Sequence, residues 1–317
     1  MSDIEKTLKI INEFSELQKS HPGPVSYSLM FGSPSASKVA LITAGIHGNE
    51  VGTLPAFLEF AKNLKIQEGC VIMALGNIDA LKENKRYLDE DMNRLFSEID
   101  RDSAERKRAG DIKQLIDMAD YHLDLHQTIE PTKYPFYLLR PHVRAESFAS
   151  LLGVTNMAIM TDTKKGVQKG YMTSGAYAYS KGLLSVTLEV SEKGYFEEAT
   201  QRTNIGLKNF LDIYLNELKI DHFLESQQAK ELTKITMKSS EAYDSKRSYL
   251  LEGFQNLQFV KKGTHLGVHP DKLESEQKFY APEDGYILFP KYPERNENGE
   301  CLSWPQLSSI YVLGVSK

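Results

Sequence analysis

Cysteine is scarce in this chain of 317 residues: Cys70 and Cys301 are the only two, far apart and without a CxxC neighbour. That excludes a disulfide framework and fits a reducing cytoplasm. Positive charge is not in surplus either, since 38 Lys and Arg stand against 43 Asp and Glu for a net charge of −5. No basic stripe interleaved with aromatics occurs, so nucleic acid is not an expected partner. No uninterrupted apolar run approaches the roughly 20 residues of a membrane span. The opening stretch sets Ile4, Leu8, Ile11 and Phe14 at helical spacing between charges, which predicts an amphipathic helix and not a secretory h-region. Repeats and low-complexity tracts are absent, and a composition of 41% hydrophobic and 26% charged residues is that of an ordinary globular chain. The length predicts about two domains.

The stretch at residues 38–64, KVALITAGIHGNEVGTLPAFLEFAKNL, organises the rest. Val39–Ala44 is a short apolar run rich in β-branched residues and reads as a central strand of a parallel sheet. From Val51 the apolar residues Val51, Leu54, Phe57, Leu58 and Ala61 recur at helical spacing. The polar turn between strand and helix holds His47 and Glu50, three residues apart and able to share a metal ion. In an open α/β sheet, ligands bind outside the carboxyl ends of the strands, which is where this turn lies.

Further along, Val25 to Phe31 predicts an edge strand, and Cys70–Leu75 a second apolar strand ending in a charged loop that contains Arg86, Asn93 and Arg94. Residues 102–118 predict a helix. In the following YHLDLHQT, period two puts Tyr121, Leu123 and Leu125 on one face and His122, Asp124 and His126 on the other. His126, at the strand's end, is the third ligand candidate, and His122 reads as structural. Residues 133–144 and 161–181 read as loops or short elements, whose Tyr171, Tyr177 and Tyr179 either wall a pocket or cover an ordinary loop. Residues 183–190 form another β-rich run with Glu189 near its end, and 197–218 a long amphipathic helix. Beyond a polar stretch near residues 223–233, short runs at 254–260 and 279–289 with Gly/Pro turns predict antiparallel strands. The expected domains are therefore 1–222, α/β and catalytic, and 230–317, small and β-rich.

Two imidazoles and a carboxylate, His47, Glu50 and His126, form the ligand set of a catalytic zinc site with a position left for water. Glu189 is placed to act as general base and acid, Arg86 to stabilise an oxyanion, and Asn93 with Arg94 to hold a substrate carboxylate.

In order and spacing, GIHGNE, RYLDEDMNRLF, DLHQT and TLEV resemble the succinylglutamate desuccinylase and aspartoacylase family, relatives of the zinc carboxypeptidases. The resemblance covers about residues 38–195. It implies an α/β fold with a zinc carboxypeptidase-like mixed sheet flanked by helices and a smaller C-terminal β domain. It also implies one Zn2+ per chain on His47, Glu50 and His126, with Glu189, Arg86, Asn93 and Arg94 in the roles given above. Ile129 and Glu130 stand where a desuccinylase carries a basic residue, and Lys133, Arg140, Arg144 and Lys164 are the candidates to compensate. The expected activity is zinc-dependent cleavage of the amide of an N-acyl amino acid or similar small carboxylate-bearing substrate, in the cytoplasm and away from membranes. Alternatives are a metallocarboxypeptidase acting on short peptides and a zinc-containing binding protein without turnover. Oligomers are common among such enzymes, so a homo-oligomer stays open.

Overall fold

The computed structural model describes residues 1–97, 103–161, 172–220, 222–227, 230–302 and 309–316. Tyr171 and Lys164 lie outside the described residues. The chain forms two compact units, residues 1–127 with 135–232 and residues 128–134 with 233–317.

The first unit opens with α1 (Asp3–Ser20), whose start is fixed by a reciprocal cap: the Ser2 hydroxyl accepts from the Glu5 N–H while the Glu5 carboxylate accepts from the Ser2 N–H. Its buried stripe is Thr7, Ile10, Ile11 and Phe14, and the expected Ile4 and Leu8 are 42% and 37% exposed. At 100° per residue those two positions fall on the rim of the stripe centred near Phe14. There follow β1 (Ser28–Gly32), β2 (Val39–Ala44), α2 (Leu54–Asn63), β3 (Cys70–Leu75), α3 (Ile78–Lys82), α4 (Ala104–Asp117) and β4 (Tyr121–Thr128). The unit continues with β5 (Phe136–Leu139), α5 (Val143–Leu152), β6 (Met157–Met160), α6 (Ser174–Ser180), β7 (Leu184–Glu192) and α7 (Glu197–Lys219).

Its strands run β1-β3-β2-β4-β7-β5-β6. β2 is parallel to both β3 and β4, whereas β1 on β3 and β5 on β7 are antiparallel, so the sheet is mixed. The expected edge strand is the outermost β1. Every residue of β2 and β3 is buried, because helices cover both faces. Ala40, Ile42 and Ala44 of β2 pack with Phe14, Phe57 and Phe210 of α1, α2 and α7, while Val39 and Leu41 pack with Ile112 and Ile116 of α4. The Tyr214 hydroxyl of α7 accepts from the Cys70 N–H and donates to the Lys38 carbonyl, each at 2.7 Å, which pins the helix to the start of β2 and β3. No described helix is long and apolar enough to cross a membrane.

The second unit is antiparallel: β8 (Thr233–Ala242), β14 (Ser309–Ser316), β13 (Gly285–Leu288) and β10 (Gln258–Val260) lie in that order. β12 (Lys278–Tyr280), β11 (His265–Val268) and β9 (Tyr249–Leu250) form a second small sheet. Leu250, Leu266, Phe279, Ile287 and Leu313 make its core.

Candidate metal centre

β2 delivers the chain to the site and Gly45 turns it. Its φ of +73° is a conformation that glycine tolerates, and a Cβ there would meet Leu81 at 3.0 Å. The turn is held by the Gly76 N–H on the Ala44 carbonyl and the Asn77 N–H on the Gly45 carbonyl, both at 2.8 Å. His47 and Glu50 follow, immediately before a short 3-10 turn at Val51–Thr53. On the neighbouring strand, Ala44 pairs with Leu125, so His126 emerges beside the turn at the same end of the sheet.

The three side chains converge and are buried. Glu50 Oε1 lies 2.6 Å from His47 Nδ1, and Glu50 Oε2 lies 2.9 Å from His126 Nδ1. The two rings stand 5.3 Å apart at 71°. One donor atom from each residue lies within 4.8 Å of the other two. Behind the histidines stand two more carboxylates: His47 Nε2 is 3.1 Å from Asp91 Oδ1, and His126 Nε2 is 3.0 Å from Asp124 Oδ2. The second approach lies outside hydrogen-bonding geometry, and among the described residues His126 Nε2 has no hydrogen-bond partner.

Arg86 spans the front of the cluster, 3.3 Å from Glu50 Oε1 and 3.2 Å from Asp91 Oδ2. Asn93 and Arg94 lie on a 3-10 turn, Met92–Arg94, that is capped by the Asp91 carboxylate. The Asn93 side chain accepts from the Ser174 N–H at 2.9 Å, and Arg94 donates to the Asn93 carbonyl at 2.8 Å. Glu189 sits on β7 opposite Phe136, buried, and its Oε2 has no hydrogen-bond partner among the described residues.

Charges are shared unevenly. Burial opposes ionisation of Glu50, yet His47 and His126 hold its carboxyl well below the usual range. Burial likewise opposes Asp91 and Asp124, which are nonetheless held low, Asp91 by His47, Arg86 and Arg94, and Asp124 by His126. Burial also works against a charged His126, but Asp124 and Glu50 raise its pKa well above that of an ordinary histidine. Glu189 goes the other way: burial pushes it up to about 8, with His126 opposing and Glu50 adding to the rise. A carboxyl poised near neutrality beside a strongly ionised one is the separation that acid–base chemistry uses.

His47, Glu50, His126 and Arg86 thus touch directly, Asn93 joins through Ser174, and Arg94 joins through Asn93. His122 is a buried structural residue, bonded to Thr43 at 2.9 Å and Ser185 at 3.1 Å, with burial lowering its pKa. Tyr177 packs under α4 and donates to Asp117 at 2.8 Å. Tyr179 lies under Arg140, and Arg140 follows the end of β5 that points away from Glu189. Arg144 pairs with Glu217 and Glu225. Sequence reading missed Asp91, Thr43, Ser174 and Gln127. The Gln127 N–H donates to Glu50 Oε2 at 3.1 Å, and its side chain bonds the Gly52 N–H and the carbonyls of Glu192 and Gly194. Asp124 had a signal, since it shares the strand face of His126.

A mixed sheet covered by helices, with a buried His-Glu-His cluster at the carboxyl ends of β2 and β4, defines an α/β protein with a metal-type centre. The chain belongs to the succinylglutamate desuccinylase/aspartoacylase family: the model of that family's catalytic domain matches residues 36–214. A succinylglutamate desuccinylase of Serratia proteamaculans is 28% identical over 173 residues, 50% of this chain and 53% of that protein. One from Pseudomonas aeruginosa is 29% identical over 198 residues, 56% of this chain and 57% of that protein. The chain spans about half the length of these curated relatives. Among solved structures, a succinylglutamate desuccinylase/aspartoacylase from Rhodobacter sphaeroides superposes with a TM-score of 0.65 at 18% identity, over 89% of this chain and 86% of that one. An ectoine utilization protein from Ruegeria pomeroyi does so with 0.65 at 19%, over 91% and 88%. At these identities the likeness is one of fold.

Proposed function

We propose that the first unit is a zinc-dependent hydrolase that cleaves the amide of an N-acyl amino acid or similar small carboxylate-bearing substrate. The observation that carries this is the convergence of His47 Nδ1, Glu50 and His126 Nδ1, each imidazole backed by a carboxylate, beside a Glu189 raised to about 8. The donors fit zinc: two imidazole nitrogens and one carboxylate suit a catalytic site, and outer carboxylates are how metal-binding histidines are held. The buried Glu189 Oε2, without a hydrogen-bond partner among the described residues, adds to that fit. When bound, zinc supplies polarisation of the scissile carbonyl and a more acidic water.

The rest is done by the chain's own residues. Glu189 accepts the proton of the attacking water and passes it to the leaving amine, for which a pKa near neutrality is suited. Arg86, whose guanidinium reaches across the front of the cluster, stabilises the developing oxyanion. Arg94 and the amide of Asn93 hold the substrate carboxylate and fix the scissile bond relative to Glu189. Membership of a family whose named relatives are desuccinylases supports the deacylase reading over the others.

The test is amine release by zinc-loaded protein across N-succinyl, N-acetyl and other acyl amino acids and short peptides, with Glu189→Gln alongside. Turnover of one acyl class, reduced about 100-fold or more in the variant, is expected. Turnover that survives in Glu189→Gln removes the general-base assignment, and turnover of peptides alone moves the reading to a carboxypeptidase.

A further inference from the structure

Ser174, the first residue of α6, is 1% exposed and makes no contribution to capping its own helix. That task falls to Thr173, whose hydroxyl accepts from the Ala176 N–H at 3.1 Å. The Ser174 hydroxyl instead faces two acceptors, Asp124 Oδ2 at 2.5 Å and Asn93 Oδ1 at 3.2 Å. It has one proton, and the ionised carboxylate at the shorter distance takes it. The other oxygen of Asp124 accepts from the Thr43 hydroxyl at 2.6 Å. Both carboxylate oxygens are therefore anchored, and Oδ2 is presented to His126 Nε2. The backbone of Ser174 does a second job: its N–H donates to Asn93 Oδ1 at 2.9 Å. A backbone N–H can only donate, so the oxygen end of the Asn93 amide must face it, and the NH2 end faces away.

Resting on the reading of His126 as a zinc ligand and Asn93 as part of the carboxylate clamp, we propose that Ser174 is a positioning residue that locks the two halves of the site together. Its hydroxyl fixes Asp124 behind His126, and its backbone N–H fixes which end of Asn93 meets the substrate. Three segments far apart in the chain, around residues 93, 124 and 174, are thereby held in one register. The hydroxyl is the informative atom, because an alanine of nearly the same size keeps the packing and the backbone N–H while removing only the bond to Asp124.

The experiment measures zinc affinity of the intact chain by competition with a chromophoric chelator, together with KM and kcat on the substrate class found active. Ser174→Ala is expected to bind zinc about 10-fold more weakly, while Ser174→Thr, which keeps a donor, stays within about threefold of wild type. KM should change little in Ser174→Ala, because the bond to Asn93 comes from the backbone, and the loss should fall on kcat. Asp124→Asn combined with Ser174→Ala is expected to bind zinc no more weakly than Asp124→Asn alone, since both act through one contact. Wild-type zinc affinity in a folded Ser174→Ala, or additive losses in the double variant, overturns the proposal while leaving the zinc reading intact. A wild-type chain that binds no zinc overturns both. If Ser174→Ala does not fold, Ser174→Cys carries the test: as a poor donor it should bind zinc more weakly than Ser174→Thr, and equal affinities overturn the assignment.

Discussion

His47 Nε2 and Asp91 Oδ1 meet at 3.1 Å across 44 positions of sequence. Because Glu50 faces the other ring nitrogen at 2.6 Å, both nitrogens are engaged and the ring is aimed before any metal arrives. Asp91 serves Arg86 as well, so one carboxylate fixes a ligand and the guanidinium in front of it.

Asp91→Asn is expected to weaken zinc binding about 10- to 100-fold, the usual cost of losing an outer carboxylate. Competition titration of the purified variant checks this. Unchanged affinity would show that Asp91 matters to Arg86 alone.

Zinc affinity should fall steeply with falling pH. His126 is raised well above an ordinary histidine by Asp124 and Glu50, so in the metal-free protein it carries a proton that must leave before Nδ1 can bind metal. Calorimetry at pH 7 in buffers of different ionisation enthalpy should therefore report proton release on zinc binding. A buffer-independent heat contradicts the assignment.

Glu189 makes a prediction about the metal-free fold. Its carboxyl rises from an ordinary 4.5 to about 8 on folding, so between those values the folded chain binds more protons than the unfolded one. The contribution is complete below the ordinary value and is lost as pH climbs through about 8. Melting temperature of the metal-free protein should decline more steeply between about pH 5 and 8 in the wild type than in Glu189→Gln. Parallel profiles for the two proteins would rule this out.

Asn93→Asp keeps an oxygen toward the Ser174 N–H but replaces the outward NH2 with a second carboxylate oxygen. KM for a carboxylate-bearing substrate is expected to rise at least about tenfold, which is ~1.4 kcal/mol of binding. Steady-state kinetics with Asn93→Ala beside it separate repulsion from simple loss of a donor, since the charged variant should be the worse of the two.

Much of the first unit was legible because its signals are local. The β-branched run of β2, the alternation of Tyr121, Leu123 and Leu125 and the helical stripe through Phe210 and Tyr214 each report their own burial. His47 and Glu50 stood out because they lie in the turn after such a strand, and His126 and Glu189 because they lie near the carboxyl ends of theirs. What sequence could not give is which distant residues stand behind them. Asp91 lies in a loop of mixed charge where nothing local separates it from Asp89 or Glu90, and Ser174 is one hydroxyl in a stretch of small residues. Short elements also escaped: β5, β6 and α5 are too brief to establish a period, and β8, half exposed, shows no clean alternation.

The bond from the Gln127 N–H to Glu50 Oε2 closes a gap of 77 residues. During synthesis, the turn bearing His47 and Glu50 therefore leaves the ribosome long before the strand that completes the ligand set, and the clip from Gln127 to Gly194 waits for a further 67 residues of chain. The pairing of Thr43 with Asp124 that joins β2 to β4 spans 81 residues, so the sheet and the ligand set close over the same length of chain. On the zinc reading proposed above, the folded chain holds the ligand set together without metal, and refolding in the presence of a chelator should give the same yield of compact, metal-free protein.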